Sequence, residues 1–354
     1  MEPFRGHGNR NFGFGSPLGC HLGTSILRLP MRRSDLGRLA ASLTALVAWS
    51  IAILWIAGLA WADRFLWSQW LSWIPAPSVA AAAAGAGLVN WAVRPGRWKA
   101  RLSGLGALLV ASLGWTTHVN LGLGSRPGSG GPAVSVLQWN SDWPSGNDPR
   151  SETALGAHPA DFVLISNRGS ITAPDRIEAW AGPDARVVGA GPFALVTRWP
   201  VVEATQIAAG GQPHQMWWVA RFTVVPPGWE GRPLRIAMID LPSRPTISRA
   251  AVASALRRAC EQGGLGEVDL VAGDFNAVDG SVILSRCFPG MRDALSEAGR
   301  GWLATWPRAF PMWRIDHVLL NDRLEARNGW TIDPGTGHHR MTMAIVGERQ
   351  ATRR

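Results

Sequence analysis

Val268-Asp-Leu-Val-Ala-Gly-Asp-Phe-Asn276 is the stretch around which the rest of the sequence is organised. The apolar run from Leu270 to Ala272 predicts a short buried strand, and the following residues leave it at its carboxyl end. Alternate residues of an extended chain point the same way, so Asp274 and Asn276 are expected to face one site. A carboxylate that activates water and an amide that donates to a developing oxyanion suit hydrolysis, although these residues alone also fit an ordinary Asx turn.

The composition combines a high apolar content with an unusual choice of basic and aromatic residues. Hydrophobic residues make up 46% of the 354 and charged residues only 17%, which indicates that part of the chain lies in a membrane. A net charge of +10 ordinarily suggests nucleic acid or anionic lipid as a partner. Only Lys99 among the 35 basic residues is a lysine, and 20 tryptophans occur beside no tyrosine, so we attribute the basicity to a coding bias.

The three cysteines do not have the spacing of a metal site. Cys260 and Cys287 either pair in an oxidising compartment or are simply buried, as most such cysteines are. The sequence leaves these two alternatives open.

Three apolar segments predict a membrane region over residues 31–124. Residues 39–62, 71–93 and 102–123 each exceed the roughly 20 residues that a helix needs to cross a bilayer, and short charged loops separate them. Each segment alone also fits a buried core helix, and the third is the least apolar. Residues 1–30 are rich in glycine and arginine and are predicted to be disordered. Met31 precedes a basic cap and is an alternative start, which N-terminal sequencing of the native protein tests.

The distribution of basic residues predicts the orientation of these segments. Three arginines precede the first segment and four basic residues follow the second, whereas the loop between them has only Arg64. With three spans, the C-terminal region lies on the non-cytoplasmic side of a bacterial inner membrane; with two, the sidedness reverses. Tryptophans cluster around the first outer loop and either mark the membrane interface or reflect the high tryptophan content: Trp61, Trp67, Trp70 and Trp73.

A second region of different character follows the flexible linker at 125–132 and extends over residues 133–348, before a basic tail at 349–354. Short apolar runs alternate there with helical stretches, which predicts an α/β domain with packed sheets. The predicted strands are Val134–Trp139, Asp161–Ser166, Phe193–Thr197, Met216–Val225, Leu234–Ile239, Asp269–Ala272, Arg314–Leu320 and Met341–Val346, and the predicted helices are Ile247–Gln262, Val282–Cys287 and Met291–Ala298.

Polar residues follow or begin several of these strands, and we expect them to converge at one edge of a sheet. Each polar cluster alone is more typical of a turn than of a catalyst. Together they are Gln138-Trp-Asn140-Ser-Asp142, Ser166-Asn167-Arg168, Asp240-Leu-Pro-Ser243, Gly273-Asp274-Phe-Asn276, Arg314-Ile-Asp316-His317 and Gly337-His338-His339-Arg340.

The order of these motifs resembles the endonuclease/exonuclease/phosphatase superfamily, whose members are metal-dependent phosphodiesterases and phosphatases on a two-sheet α/β (α+β) sandwich. Gly273-Asp-Phe-Asn276 and Arg314-Ile-Asp-His317 are the most specific segments, and the resemblance covers about residues 133–348. It implies this fold for the region after the predicted N-terminal helical transmembrane region, which lies outside the resemblance. Together with that region it predicts a membrane-anchored hydrolase that acts on nucleic acid, a phospholipid head group or a small phosphoester. No protein partner is predicted.

The resemblance assigns roles to the matching residues. Asp274 would orient or deprotonate the attacking water, and Asn276 would hold it and stabilise the pentavalent phosphorane. Asn140 would support the phosphate-binding network. His339, paired with Asp316, would contact the phosphate, which is consistent with the strength of charge-assisted hydrogen bonds. Asp142 would help to bind a divalent metal, with Mg²⁺ or Mn²⁺ expected.

Three departures from the family pattern concern the metal site. Asn167 stands where the family has its metal-binding glutamate, Asp240 replaces a phosphate-contacting histidine, and His338 replaces an aspartate. Hard cations prefer anionic oxygen, so metal affinity is expected to fall. One interpretation is a rebuilt site in which Asp240 and His338 join Asp142 and Asn167 as ligands and favour Mn²⁺ or Zn²⁺. The other is a non-catalytic domain that binds phosphate without hydrolysing it.

Overall fold

The structure is a computed structural model that describes residues 33–93, 98–123, 131–143, 149–212, 215–229 and 231–349. The predictions made for residues 1–30, and for nearly all of the linker and the basic tail, lie outside these ranges. The described chain contains a region of helices followed by a sandwich of two β-sheets.

The strands in chain order are β1 (Leu121–Leu123), β2 (Ala133–Asn140), β3 (Phe162–Ser166), β4 (Arg186–Ala190), β5 (Phe193–Thr197), β6 (Val201–Gly210), β7 (Trp217–Val224), β8 (Leu234–Asp240), β9 (Leu270–Asp274), β10 (Arg292–Asp293), β11 (Arg300–Trp302), β12 (Asp316–Leu320), β13 (Leu324–Ile332) and β14 (Met341–Glu348). The helices are α1 (Arg33–Trp61), α2 (Leu66–Ser72), α3 (Ala76–Val93), α4 (Trp98–Asn120), α5 (Pro149–Gly156), α6 (Pro174–Ala181), α7 (Arg249–Gln262), α8 (Val282–Cys287) and α9 (Ala294–Ala298).

Two six-stranded sheets pack face to face. Their strand orders are β10-β12-β9-β8-β7-β6 and β13-β14-β2-β3-β5-β4. Both sheets are mixed, because β8 and β9 are parallel, as are β2 and β3, while the other neighbours are antiparallel. Apolar side chains of both sheets fill the space between them, as Phe162, Phe222 and Met238 do. This arrangement confirms the two-sheet sandwich predicted from the sequence.

Strand β9 lies inside its sheet and is buried on both faces. Leu270 and Ala272 face the core between the sheets, whereas Val271 packs against the layer that contains α7 and α8. A strand covered on both faces requires a continuous apolar run rather than an alternating one. The run that precedes Gly273 therefore determines the position of this strand. Cys260 on α7 and Cys287 on α8 belong to the same outer layer and are both free thiols in the structure.

All eight predicted strands are present, and the main ones that the sequence missed lie at sheet edges. Strands β4, β6 and β13 end the strand orders and expose part of one face, so their sequences mix apolar and polar residues. Helices α7 and α8 also match the predictions. The helix predicted from Met291 begins only at Ala294, because Arg292 and Asp293 form β10 and the Asp293 carboxylate caps the helix.

The N-terminal region contains two helices that are long and apolar enough to cross a membrane. These are Ser34–Trp61 within α1 and Ala76–Val93, which is α3. Most of their apolar surface is not covered by other parts of the described chain. Helix α4 covers the predicted third segment and packs against α3, but it is not among the helices apolar enough to be counted as candidate spans.

The backbone at Gly273 provides a test of how tightly β8 and β9 approach. Gly273 has a φ of +146°, and a Cβ there would lie 1.8 Å from the carbonyl oxygen of Ile239. We expect Gly273→Ala to lower the free energy of unfolding by about 3 kcal/mol or more, because backbone strain and a steric clash add. Urea unfolding of the full-length protein in detergent micelles, followed by tryptophan fluorescence, measures this.

Gly280→Ala is the matched control. Gly280 also has a positive φ, +82°, but a Cβ there meets no atom within 4 Å. Only backbone strain destabilises this variant, so we expect its free energy of unfolding to fall by about 1 kcal/mol. Equal effects of the two substitutions would contradict the close approach at Gly273.

Candidate active site

Three aspartates form one row across adjacent strands. Asp240 ends β8 and Asp274 ends β9, and the two are register partners. Asp274 is also the register partner of Asp316, the first residue of β12. All three side chains are buried. Since neighbouring strands lie about 5 Å apart, three carboxyl groups are concentrated at one sheet edge.

Two asparagines from the other sheet meet this row. Asn140 ends β2 and donates from Nδ2 to Asp274 Oδ2 at 2.9 Å. Asn167, directly after β3, donates from Nδ2 to Asn140 Oδ1 at 3.1 Å and also hydrogen-bonds to the Asp240 carboxylate. The ends of the parallel strands β2 and β3 therefore contribute amides to the same place to which β8 and β9 contribute carboxylates.

Asn276 fixes the other oxygen of Asp274. Its backbone N–H donates to Asp274 Oδ1 at 2.8 Å, and its side-chain Nδ2 donates to the carbonyl of Leu241 at 2.8 Å. The side chain of Phe275 between them is buried in the core, as predicted. Both carboxylate oxygens of Asp274 therefore have a fixed donor, which holds the group in one orientation.

His339 stands opposite this carboxylate. Its Nδ1 lies 2.9 Å from Asp316 Oδ2, and its Nε2 lies 3.7 Å from Asp274 Oδ2. Asp316 is held in turn by Gln138, whose Nε2 donates to Asp316 Oδ1 at 3.4 Å. The chain Gln138–Asp316–His339 directs the second ring nitrogen of the histidine toward Asp274.

The charges in this cluster shift one another's pKa values in opposite directions. Burial alone would lower the pKa of His339, but attraction to Asp316 and Asp274 raises it to about 10. Burial raises the pKa of Asp274 to about 6; the positive charge of His339 opposes the shift and the charge of Asp316 adds to it. Burial and repulsion by Asp274 raise the pKa of Asp240 well above its usual value. At neutral pH, His339 is an imidazolium beside an ionised Asp274.

One cavity of about 910 Å³ gives access to this cluster. Its walls carry most of the predicted residues together with several tryptophans. The predicted residues that line it are Asn140, Asp142, Asn167, Asp240, Asp274, Asn276, His338 and His339. Asp316 lies behind His339 rather than in the wall. The predicted convergence of polar strand ends is therefore present in the structure.

Unusual backbone conformations cluster at the same cavity. Five non-glycine residues in the described ranges have a positive φ, and four of them line its wall: Asp142, Trp143, Asn167 and Asn276. Residues in sparsely populated backbone regions are found preferentially at functional sites, where the surroundings must hold them. Three of the four are aspartate or asparagine, which tolerate this region best.

Asp142 and His338 form a separate pair at the mouth of the cavity. The Asp142 carboxylate and His338 Nδ1 are hydrogen-bonded, and their side chains are 44% and 76% exposed. They are therefore much closer to solvent than Asn167 and Asp240. The four residues predicted as metal ligands divide into an exposed pair and a buried pair.

The buried pair fits a cation better than any other part of the cluster. Asn167 Oδ1 is buried and has no hydrogen-bond partner among the described residues, so it offers a lone pair to a bound ion. Asp240 lies beside it and is repelled by Asp274, a repulsion that a cation would offset. Asp274, Asp316 and His339 also have ligand atoms within 4.8 Å of one another. A protonated His339 cannot serve as a metal ligand, so this trio fits an ion pair instead.

His317 and Arg314, quoted from the same motif as Asp316, support the fold rather than the site. His317 Nδ1 lies 2.8 Å from Asp293 Oδ2 and its Nε2 lies 2.9 Å from the carbonyl of Ala277. Arg314 pairs with Asp279 and lies 3.4 Å from Asp293. Because side chains alternate along a strand, Asp316 faces the site and His317 the opposite side.

Some roles and residues at the site were not predicted. Gln138 belongs to the predicted cluster at the end of β2, but no role was assigned to it; in the structure it orients Asp316. Trp73, Trp306 and Arg308 line the cavity but come from outside the strand ends on which the prediction was based. The tryptophan cluster around residue 70 drew attention to Trp73 only as a membrane-interface residue.

His317 is buried and His338 is exposed, and this difference leads to a prediction about their effects on stability. His317→Ala removes two buried hydrogen bonds and leaves Asp293 underpaired, so we expect the free energy of unfolding to fall by about 2–4 kcal/mol. His338→Ala removes an exposed hydrogen bond to Asp142 and should cost less than about 1 kcal/mol. Urea unfolding of the full-length protein in micelles measures both, and equal costs would contradict the assignment of His317 to the core.

Comparison with solved structures finds chains with a similar fold at low sequence identity. An endonuclease/exonuclease/phosphatase family protein from Bacteroides thetaiotaomicron is 14% identical, with a TM-score of 0.47 over 64% of this chain and 97% of that one. A protein of the same description from Bacteroides vulgatus is 15% identical, with a TM-score of 0.44 over 62% and 100%. Beta toxin from Staphylococcus aureus, with bound magnesium ions, is 12% identical, with a TM-score of 0.43 over 62% and 100%.

Comparison with the curated proteins gave no match. The profile of the Endonuclease/Exonuclease/phosphatase family matches residues 137–338, which include all of the predicted site residues except His339. This segment is more than half of the 354 residues. The chain therefore belongs to the Endonuclease/Exonuclease/phosphatase family.

Proposed function

We propose that the protein is a membrane-anchored, metal-dependent hydrolase of phosphate esters. Members of its family act as metal-dependent nucleases, phosphatases and phosphodiesterases. The observation that carries the proposal is the Asp274 carboxylate, fixed by Asn140 and Asn276 and facing the imidazolium of His339 in an accessible cavity. This arrangement places a proton acceptor next to a positive charge, as hydrolysis of an anionic ester requires.

Asp274 is the residue that orients and deprotonates the attacking water. With a pKa of about 6 it is mainly ionised at neutral pH, and it remains basic enough to accept a proton. The donors on both of its oxygens prevent rotation, so the direction of proton transfer is fixed. Asn276 uses one amide hydrogen on the Leu241 carbonyl, which leaves the second for the water or the phosphorane.

His339 stabilises the phosphate. Its Nδ1–H is bound by Asp316, which leaves the Nε2–H to donate to a phosphoryl oxygen. A hydrogen bond from an imidazolium to an anionic oxygen is among the strong ones, and it strengthens as negative charge accumulates in the transition state. Asn140 links this network to Asn167 on the neighbouring strand.

A divalent cation fits beside Asn167 and Asp240, which provide a free amide oxygen and a buried carboxylate. Mg²⁺ or Mn²⁺, when bound, polarises a phosphoryl oxygen and offsets the charge of the leaving group. Asp142 and His338 at the cavity mouth provide oxygen and nitrogen donors, and their participation would favour Mn²⁺ or Zn²⁺.

A non-catalytic phosphate-binding domain is the second candidate. It is favoured by one specific observation, the uncharged Asn167 where the family has a metal-binding glutamate. The intact set of Asp274, Asn276, Asp316 and His339 favours retained chemistry. Nucleic acid, a phospholipid head group and a small phosphoester all remain candidate substrates. The domain is proposed to lie on the non-cytoplasmic side of a bacterial inner membrane, which requires α4 to cross the bilayer as a third span beside α1 and α3.

Hydrolysis of aryl phosphates by the full-length protein in detergent micelles tests the proposal. We expect release of p-nitrophenol from the mono- or the bis-p-nitrophenyl phosphate with Mg²⁺, Mn²⁺ or Zn²⁺, and none with EDTA. Asp274→Ala should lower kcat at least about 100-fold, because general-base catalysis contributes that much. Glu267→Ala removes a 95% exposed acid nearby in sequence and should leave kcat unchanged. A folded protein without turnover on either ester with any metal would support the binding domain instead.

A charge introduced at position 167 tests the metal site. Asn167→Glu restores the family's residue, but Asn167 has a φ of +53°, which aspartate tolerates better than glutamate. We therefore expect Asn167→Asp to tighten Mg²⁺ binding about 10-fold, because the cation gains an anionic oxygen, and Asn167→Glu to tighten it less. Isothermal titration calorimetry measures both.

Asn328→Asp is the control, since it adds the same charge on the edge strand β13. An unchanged Mg²⁺ affinity in both position-167 variants would show that Asn167 is not a ligand.

A further inference from the structure

The connection between the two candidate spans forms part of the cavity wall. Trp73, between α2 and α3, lines the cavity together with the residues of the catalytic row. Its ring lies 5.8 Å from that of Trp313, and the Trp313 Nε1 donates to the Trp73 carbonyl at 3.0 Å. Trp73 is therefore fixed against the sandwich by both its ring and its backbone.

Two further residues of the same connection bind the sandwich. Gln69 donates to the carbonyls of Pro245 and Ile247 at 2.8 and 2.9 Å and accepts from the N–H of Arg249 at 2.9 Å. Asp63 accepts from the N–H of Val282 at 2.7 Å at the start of α8. Both polar side chains are almost completely buried, so the junction between the connection and the sandwich is closely packed and specifically hydrogen-bonded.

Arg249 shows that the junction is also balanced electrostatically. Its guanidinium is completely buried and has no hydrogen-bond partner among the described residues. Burial lowers the pKa of Arg249, and the charges of Asp63 and Asp274 counteract this. The charge of Asp63 on the connection therefore helps to stabilise the buried guanidinium of Arg249 next to the site.

The end of α4 holds a neighbouring part of the rim. The carbonyl of Asn120 accepts from the N–H of Leu303 at 2.7 Å, and its side chain donates to the carbonyl of Met312 at 3.3 Å. In the sequence these two contacts flank the segment from Trp306 to Ala309, which lines the cavity. Strand β1, directly after α4, pairs with β11 in the same region. The connection after α2 and the end of α4 therefore both contact the part of the sandwich that lines the opening.

This construction places the cavity at the membrane surface. Trp73 precedes Ala76, the first residue of the candidate span α3, by three residues, which reach at most about 11 Å even when fully extended. Exposed aromatic side chains stand near the opening, with Phe310 72% and Trp143 53% exposed. Tryptophan and phenylalanine at such positions are typical of the interface between water and lipid.

The lining suits an apolar ester better than a polyanion. Trp73, Trp143, Trp218, Trp306 and Met216 provide apolar walls. Arg308 is the only arginine or lysine among the lining residues in the described part of the chain, and it is already paired with Asp333 at 2.9 Å. Nucleic acid would need several basic contacts to its phosphates.

We infer that the cavity takes phosphate esters of membrane lipids, which enter from the bilayer with the apolar chain along Trp73 and the phosphate at His339. The inference rests on the proposed function and adds its substrate class. It also assigns to Trp73, a residue of the membrane region, a role in determining specificity.

Three esters with the same scissile bond test the inference on the full-length protein in micelles. They are p-nitrophenyl methyl phosphate, p-nitrophenyl hexadecyl phosphate and thymidine 5′-p-nitrophenyl phosphate. We expect kcat/KM for the hexadecyl ester to exceed that of the other two at least about 10-fold, because burial of even a few methylene groups is sufficient for this. If the protein cleaves only monoesters, hexadecyl and butyl phosphate form the equivalent pair, with phosphate release as the readout.

Variants of Trp73 show whether the connection between the two candidate spans is responsible for the preference for the hexadecyl ester. Trp73→Ala should reduce the hexadecyl-to-methyl ratio of kcat/KM about 10-fold, and Trp73→Phe should reduce it about 3-fold. If the alanine variant does not fold, the phenylalanine variant alone tests the role of Trp73. Trp70→Ala, one helical turn earlier and 50% exposed, should leave the ratio unchanged.

Equal rates on the methyl and hexadecyl esters, or a preference for the thymidine ester, would overturn the inference while leaving the proposed function intact. If Trp73→Ala lowers kcat/KM by the same factor for both alkyl esters, Trp73 has no role in specificity, and this result would overturn the inference as well. Absence of cleavage of every ester with every metal would overturn the proposed function itself.

Discussion

The row of Asp240, Asp274 and Asp316 imposes the electrostatic condition that the surrounding structure has to meet. Register pairing on three adjacent strands brings the three carboxyl groups together in a buried place, where like charges repel and water cannot screen them. The fold responds with an imidazolium at His339, with amides on both oxygens of Asp274, and with a raised pKa at Asp240. The single positive charge of His339 does not balance three carboxyl groups, so Asp240 keeps a raised pKa, and a cation beside Asp240 would offset the repulsion by Asp274.

The two-sheet architecture explains how these compensating groups come within reach. The carboxylates belong to one sheet and the amides of Asn140 and Asn167 to the other, so the site exists only where the two sheets meet at their edges. Each sheet contributes one pair of parallel strands, β8–β9 and β2–β3, whose carboxyl ends lie there. A shift of one residue in β9 would turn Asp274 away from the site, and the close approach at Gly273 fixes that register.

The sequence predicted the parts of the structure that are buried on both faces and the polar residues that end them. The central strand β9 has a continuous apolar run and β2 a mostly apolar sequence, and Asp274 and Asn140 are the last residues of these two strands. The edge strands β4, β6 and β13 were missed because a half-exposed strand has a mixed sequence. The alternation along β12 predicts that Asp316 and His317 face opposite ways, but not which of them faces the site. The role of Gln138 was not predicted for a similar reason, since it depends on a contact between the two sheets.

The contacts of Trp73 and its neighbours could not be predicted from sequence patterns, because they join segments about 180 to 240 residues apart in the sequence. Composition divides the chain at the linker near residue 130, with helices before it and strands after it. The contacts give a different division. Asp63, Gln69 and Trp73 saturate donors and acceptors at the starts of α7 and α8 and at Trp313, which the sandwich alone would leave open. The structural unit that completes the cavity therefore includes the connection between the two apolar helices.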